Sequence, residues 1–287
     1  MKPIVLFLLL GLISQLQAQN NPELYLGDIS FSDEGFTISN LTNISNNPGY
    51  DNQPSFLPDG SGVLFSSERG ESTDIMLYDI NTMESSWLTN SEGGKYSPTV
   101  TPDGNHFTSV WLKPSGEQLL WKFPLSDGEP EVLIPNEVIG YHAWFNKNSL
   151  YTFVLGDNFT FVEFTLDERV SRKVIATSPG RSIHKIPGKR EISFIDKNDS
   201  TNWIIKSYHP ETKKINTITG TPINSEDMFW IDSASFLIGQ GNALLTWKEG
   251  HGYKNPEPIF ENEGMISRIS LSPDRTKIAI VFAASED

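Results

Sequence analysis

Cysteine is absent from the chain, which excludes a disulfide framework, a thiolate metal site and a thiol nucleophile. Long apolar runs are missing too. The longest, from Ile4 to Ile13, falls short of the roughly 20 residues that a membrane-spanning helix needs. Positive charge is scarce: Lys and Arg total 22 against 36 Asp and Glu, a formal net charge of −14. A field of that sign repels a phosphate backbone and an anionic lipid surface, so nucleic acid is not an expected partner. No Gly-x-Ser-x-Gly elbow occurs, since Gly60-Ser61-Gly62 reads as a hairpin turn, and there is no His-Glu-x-x-His pair, phosphate-cradling glycine loop or EF-hand loop. No catalytic residue, metal or cofactor is expected from these patterns.

What is present begins with MKPIVLFLLLGLISQLQA, where Lys2 precedes the apolar run and Gln17 and small Ala18 close it. That is the layout of a cleavable secretory signal over residues 1–18. A mature protein of residues 19–287 is expected, without a transmembrane segment after cleavage, in a periplasm or outside the cell. Its stability has to come from a core. The hydrophobic content of 37%, with 18 prolines and 22 glycines, suits a turn-rich globular chain.

The order of those turns is periodic. QPSFLPDGSGVLFSS from Gln53, SPTVTPDGNHFTSVW from Ser97 and ISLSPDRTKIAIVF from Ile269 share a turn that starts at Pro58, Pro102 and Pro273. Equivalent positions at Asn146, Pro187 and Asp232 fill the gap, with successive spacings of 44, 44, 41, 45 and 41. Five residues after each anchor stand Val63, Phe107, Tyr151, Ile192, Leu237 and Ile278. Two further on come Phe65, Ser109, Phe153, Phe194, Gly239 and Ile280. This i, i+2 spacing is that of a strand, so each anchor joins two antiparallel strands. Before the anchors, bulky Phe56, Val100, Trp144, Trp230 and Leu271 alternate with Ser55, Thr99, Ala143, His184, Phe229 and Ser270, which are mostly small. The small face is expected to line a central channel.

Two further strands follow in most units, such as DIMLYDI from Asp74 and SSWLTN from Ser85. Four short antiparallel strands per period define the blade of an all-β six-bladed β-propeller. The last unit has only two strands. The first segments, ELYLGDI from Glu23 and FTISNLTN from Phe36, resemble the outer strands of other units and share Leu-Thr-Asn with them. Residues 23–43 are thus expected to complete the blade formed by residues 268–283, hiding the open edges of the ring.

Together the Pro-Asp-Gly turn, the apolar strand ending in Ser-Ser, Asp-Ile-Met-Leu-Tyr-Asp and the closing Leu-Thr resemble the TolB-like propeller repeat. The resemblance implies a propeller fold, export and a binding role. TolB itself, for which the family is named, carries an α/β domain ahead of its propeller and contacts a peptidoglycan-associated lipoprotein; here blade strands are expected from Glu23 onward. The expected partner class is an envelope protein or lipoprotein, a peptide or a glycan, bound by a monomer.

Six-fold geometry would gather the residues just before each inner strand around one opening. The candidate ligand-binding residues are Asn52, Gln53, Tyr96, Tyr141, His142, Arg181, His184, Glu226, Asp227 and Arg268, a mixture of aromatic, amide and charged groups suited to a protein, peptide or glycan. His142 and His184 sit in adjacent columns of neighbouring blades and are expected to approach each other near the channel, in a hydrogen-bonded structural role. The competing function is a propeller lyase or hydrolase acting on a saccharide, with His184 and nearby carboxylates as its chemical groups. A structural part of a larger envelope assembly is a third reading.

Overall fold

The computed structural model describes residues 21–284 apart from 127, 255 and 260–263; the expected signal segment, residues 1–18, lies outside the described residues. Regular secondary structure among the described residues is strand throughout, in short antiparallel segments. No helix among them is long and apolar enough to cross a membrane.

Each anchor turn joins a hairpin. Asp51–Phe56 pairs with Gly62–Arg69, Gly94–Val100 with His106–Leu112, Ile139–Asn146 with Ser149–Val154, Pro179–Lys185 with Ile192–Asp196, Met228–Trp230 with Ser235–Gln240, and Gly264–Leu271 with Lys277–Ala284. Third and fourth strands extend most hairpins outward, as Ser72–Asp79 and Glu84–Trp87 do after the first. The outermost strand of that set is exposed along its whole length.

By hydrogen bonding these strands form five sheets, not six. Three are four-stranded, one has five strands, and one is eight-stranded, running through both Asp51–Trp87 and Gly94–Ile134. The two halves of the eight-stranded sheet meet at one parallel bridge, Thr73 opposite Gly94. In another sheet the N-terminal strand Glu23–Ser32 pairs with the C-terminal Lys277–Ala284, placing Leu24 opposite Val281 and Leu26 opposite Ala279.

The second strand of every hairpin is largely buried on both faces because each face meets a different neighbour. Val63, Phe65 and the N-terminal Leu24 and Leu26 share one cluster, while Leu64 on the opposite face packs with Phe107 and Phe123. Val110 turns towards Leu150 and Val154, whereas Tyr151 and Phe153 meet Ile192 and Phe194. Ile195 reaches Phe236 and Ile238, and Leu237 packs with Ile278 and Ile280. Ala279 and Val281 on the other face return to the cluster of Leu24 and Val63. Every residue of the column Val63, Phe107, Tyr151, Ile192, Leu237 and Ile278 is fully buried. At ~1.5–3 kcal/mol for a buried large apolar side chain, these six clusters dominate the cohesion of the fold.

Candidate functional site

The innermost strands run with one edge free, since most stand at the end of their sheet. Those edges border a central cavity of about 430 Å³, lined by residues of all six inner strands or their immediate flanks. Because an edge faces the cavity, both faces of each strand contribute. Phe56, Val100, Trp144, Lys185, Trp230 and Leu271 reach the wall along with Ser55, Thr99, Ala143, His184, Phe229 and Ser270. The expectation that only the small face lines the channel is corrected accordingly.

The pairing register slips near the start of five of the six inner strands, between Asn52 and Ser55, Tyr96 and Thr99, Ile139 and Tyr141, Pro179 and Ile183, and Ile266 and Arg268. Such bulges re-aim side chains at a sheet edge. Gln53 and Ser97 take φ of 62° and 55° there, a region costly for residues other than glycine. The Gln53 side chain holds this geometry: Oε1 accepts the Ser97 amide at 2.8 Å and the Ser66 hydroxyl at 3.1 Å. One amide oxygen thereby ties the first hairpin to the second.

Of the ten candidate residues, Gln53, Tyr141, His142, Arg181, His184, Asp227 and Arg268 lie on the cavity wall. Asn52, Tyr96 and Glu226 do not line it. Asn52 is buried and spends Oδ1 on the Gln53 amide at 2.7 Å. Tyr96 sits edge-on to Tyr50, with ring centroids 6.2 Å apart. Glu226 stands behind Arg181, accepting its backbone amide at 3.0 Å and the Lys197 ammonium at 3.3 Å. The bulges turn Asn52 and Tyr96 off the wall, a local shift that column counting does not register; Glu226 precedes a strand without a bulge and is held back by Arg181 and Lys197.

On the wall Asp227, itself buried, is gripped from two sides. Its Oδ1 accepts Arg181 Nε at 2.9 Å and Arg268 Nη1 at 2.9 Å, and its Oδ2 accepts Arg181 Nη2. Arg268 continues to the Tyr141 hydroxyl at 3.5 Å. Burial alone would lower the Arg181 pKa, but Asp227 and Glu226 outweigh it and hold the guanidinium above its ordinary value. The array presents permanent charge, an aromatic ring and fork-shaped donors at one end of the cavity.

The two histidines are held separately. His142 is buried, its Nε2 2.7 Å from Thr108 Oγ1 and its Nδ1 without a hydrogen-bond partner among the described residues. Burial pushes its pKa down to about 3. His184 packs edge-on against Phe229 with centroids 5.1 Å apart, and burial pushes its pKa down to about 4 against an opposing hydrogen bond with the Met228 backbone. Both rings are neutral at pH 7. No hydrogen bond joins them, and among the described residues no three His, Asp or Glu side chains gather as a metal cluster would require.

Four further residues matter that column reasoning did not select. Lys185 and Arg275 stand on the wall. Arg275 had a visible signal, since it takes the place of Gly60 and Gly104 in the repeated turn. Its φ is 63°, against 75° and 72° for those glycines. Away from the cavity, Asp74 and Lys95 form a fully buried pair at 2.9 Å, completed by Arg69 and Thr89. Burial alone would raise Asp74, yet these partners hold it below the usual carboxylate range.

A closed succession of packed antiparallel sheets around one channel defines the class: this is a β-propeller. Solved structures agree on the fold. A TolB structure from Agrobacterium tumefaciens superposes with a TM-score of 0.72 at 14% identity, covering 93% of this chain and 99% of that one. TolB from Acinetobacter baumannii gives 0.61 at 14% identity, covering 94% and 67%. Oligogalacturonate lyase from Vibrio parahaemolyticus gives 0.52 at 13% identity, covering 94% and 99%. No family model matches the chain, and no curated protein matches it.

Proposed function

We propose that the protein is an exported, non-catalytic binding module on a six-bladed TolB-like propeller, holding a protein, peptide or envelope glycan at the mouth of its channel. The six-blade count is supported by six apolar clusters that link successive units in a ring. The eight-stranded sheet then counts as two blades sharing one bridge. Pairing of the N-terminal with the C-terminal strand supports a composite sixth blade. Export rests on the signal-like residues 1–18, and the resemblance to TolB favours a periplasmic or extracellular monomer.

The observation that carries the binding role is the Arg181–Asp227–Arg268 array beside Tyr141 at the cavity. Fork-shaped donors and an aromatic face on a rigid sheet edge are recognition groups. The competing reading, a lyase or hydrolase acting on a saccharide, draws on the oligogalacturonate lyase likeness. It needs an acid and a base within reach of one point. The wall offers one carboxylate, Asp227, already engaged by two guanidiniums, and two neutral histidines held apart by separate partners. These favour binding. Capture of a partner from an envelope extract by residues 19–287 tests the proposal. Arg268→Ala with Tyr141→Ala should abolish capture while the protein stays folded; unchanged capture would move the site off the cavity.

A further inference from the structure

The wall of the cavity is charged against the rest of the molecule. Four cationic side chains line it, Arg181, Lys185, Arg268 and Arg275, with Asp227 as the one carboxylate, in a chain whose net charge is −14. Arg181 and Arg268 share Asp227 at the entrance end of the inner strands. At the turn end the balance differs. Among the described residues neither Lys185 nor Arg275 forms an ion pair with a carboxylate; Lys185 lies over Phe145 with Nζ 5.3 Å from the ring centroid. The Arg275 guanidinium donates to the carbonyls of Ile231 and Ser272, at 2.8 Å each, and stands 5.7 Å from the Phe229 ring centroid.

Arg275 reaches this place at a conformational cost. Its left-handed backbone is the position that sibling turns give to glycine, and a side chain there is strained when no local interaction compensates. The carbonyl contacts offset part of that and aim a cation at the channel. A negatively charged exterior with a positive concavity focuses field lines into the concavity. The rest of the wall mixes apolar side chains such as Phe56, Phe229 and Leu271 with neutral hydrogen-bonding ones, and Gln53, Ser55, Thr99, Ser182 and Ser270 supply the latter.

We propose that the cavity binds a small hydroxylated carboxylate, a sugar acid or hydroxy acid, with the carboxylate drawn to the Arg275 and Lys185 end and the hydroxyls met by the neutral polar wall. This rests on the cavity being the binding site and adds the class of ligand. A volume of about 430 Å³ falls within the range of small-molecule sites and favours a compact ligand over a polymer threaded through the channel.

Calorimetry on residues 19–287 tests it with D-glucuronate and D-glucose, which differ at C6 by a carboxylate for a hydroxymethyl group, and with citrate as an unrelated hydroxy acid. Glucuronate or citrate should bind at least tenfold more tightly than glucose, and the preference should shrink as salt is raised. Lys185→Gln changes an exposed side chain and should weaken the acid severalfold without moving the melting temperature. Arg275→Gly should do the same while relieving the strained backbone, so that stability holds or rises as binding falls. Equal affinity for glucose and glucuronate, or acid binding indifferent to both substitutions, overturns the proposal. So does binding of an acetylated tetrapeptide with a free C-terminal carboxylate in preference to both acids. Failure of all three small probes with partner capture still lost in Arg268→Ala sinks the ligand class alone; failure of both sinks the site.

Discussion

Removing the carboxylate of Asp227 should expose the cost of holding Arg181 and Arg268 on one wall. Asp227 is buried, whereas the side chains of Arg181 and Arg268 retain 31% and 17% of their exposure. Breaking a buried ion pair by deleting one partner costs about 3–5 kcal/mol. Solvent reaches both guanidiniums and Arg181 keeps Glu226 at 3.6 Å, so about 2–3 kcal/mol is expected for Asp227→Ala after that discount. At about 2–4 °C per kcal/mol for a domain approaching this size, the melting temperature should fall by about 4–12 °C. Thermal unfolding followed by circular dichroism measures it. Two signatures separate charge repulsion from a simple cavity. Added salt should recover part of the loss by screening the two cations, and Arg268→Gln in the Asp227→Ala background should restore stability. A melting temperature within a degree of wild type, or a loss that neither salt nor the second substitution changes, would refute the reasoning.

Asp51 is fully buried without a well-formed hydrogen bond to either carboxylate oxygen among the described residues, and burial pushes its pKa up to about 7, partly opposed by nearby Ser67, Asn47 and Ser45 and reinforced by Glu23. A raised carboxyl pKa favours the folded state at low pH, and this contribution is lost as pH rises from about 4 to about 7. Asp51→Asn should therefore match wild type near pH 4 and exceed it at pH 8 in denaturant titrations; equal stability at both would show that Asp51 ionises freely. Neither His142 nor His184 should change charge between pH 5 and pH 8, which NMR of the ring protons can follow, since their pKa values lie at about 3 and about 4. Lys95→Met leaves Asp74 with the part-exposed Arg69 as its remaining cation, so about 2–3 kcal/mol is expected, less than for a buried pair broken outright, and restored stability in Lys95→Met with Asp74→Leu would confirm that the undercompensated charge is the cause. Deleting residues 19–43 should leave Lys277–Ala284 with an unpaired edge, giving aggregation and a lower melting temperature; a soluble deletion of full stability would defeat the composite blade.

Much of the fold was legible because it depends on apolar spacing. Val63, Phe107, Tyr151, Ile192, Leu237 and Ile278 fall at one repeat position and are all fully buried, since a strand packed on both faces tolerates nothing else there. The hairpins at Asn146, Pro187 and Asp232 lack the Pro-Asp-Gly letters yet join the same strands. The site was harder to read. Bulges shift the start of most inner strands, so Asn52 and Tyr96 leave the wall although counting places them beside Gln53 and Tyr141. Where an edge borders the channel, alternation no longer separates wall from core, and Trp144 and Lys185 both reach the cavity. Among the described residues the fully buried Asp74–Lys95 pair has no counterpart in the other units, so periodicity could not reveal it.

The protein is proposed to work by holding a partner at the cavity of its propeller. Placing a photoreactive p-benzoylphenylalanine at Tyr141, which lines that cavity, and at Met83, an exposed position in the outer turn of the first unit, measures this directly. Irradiation of intact cells secreting either form should yield one covalent adduct from Tyr141 and none from Met83, and the Tyr141 adduct should disappear in the Arg268→Ala background. Adducts of equal strength from both positions, or one from Met83 alone, would contradict the account.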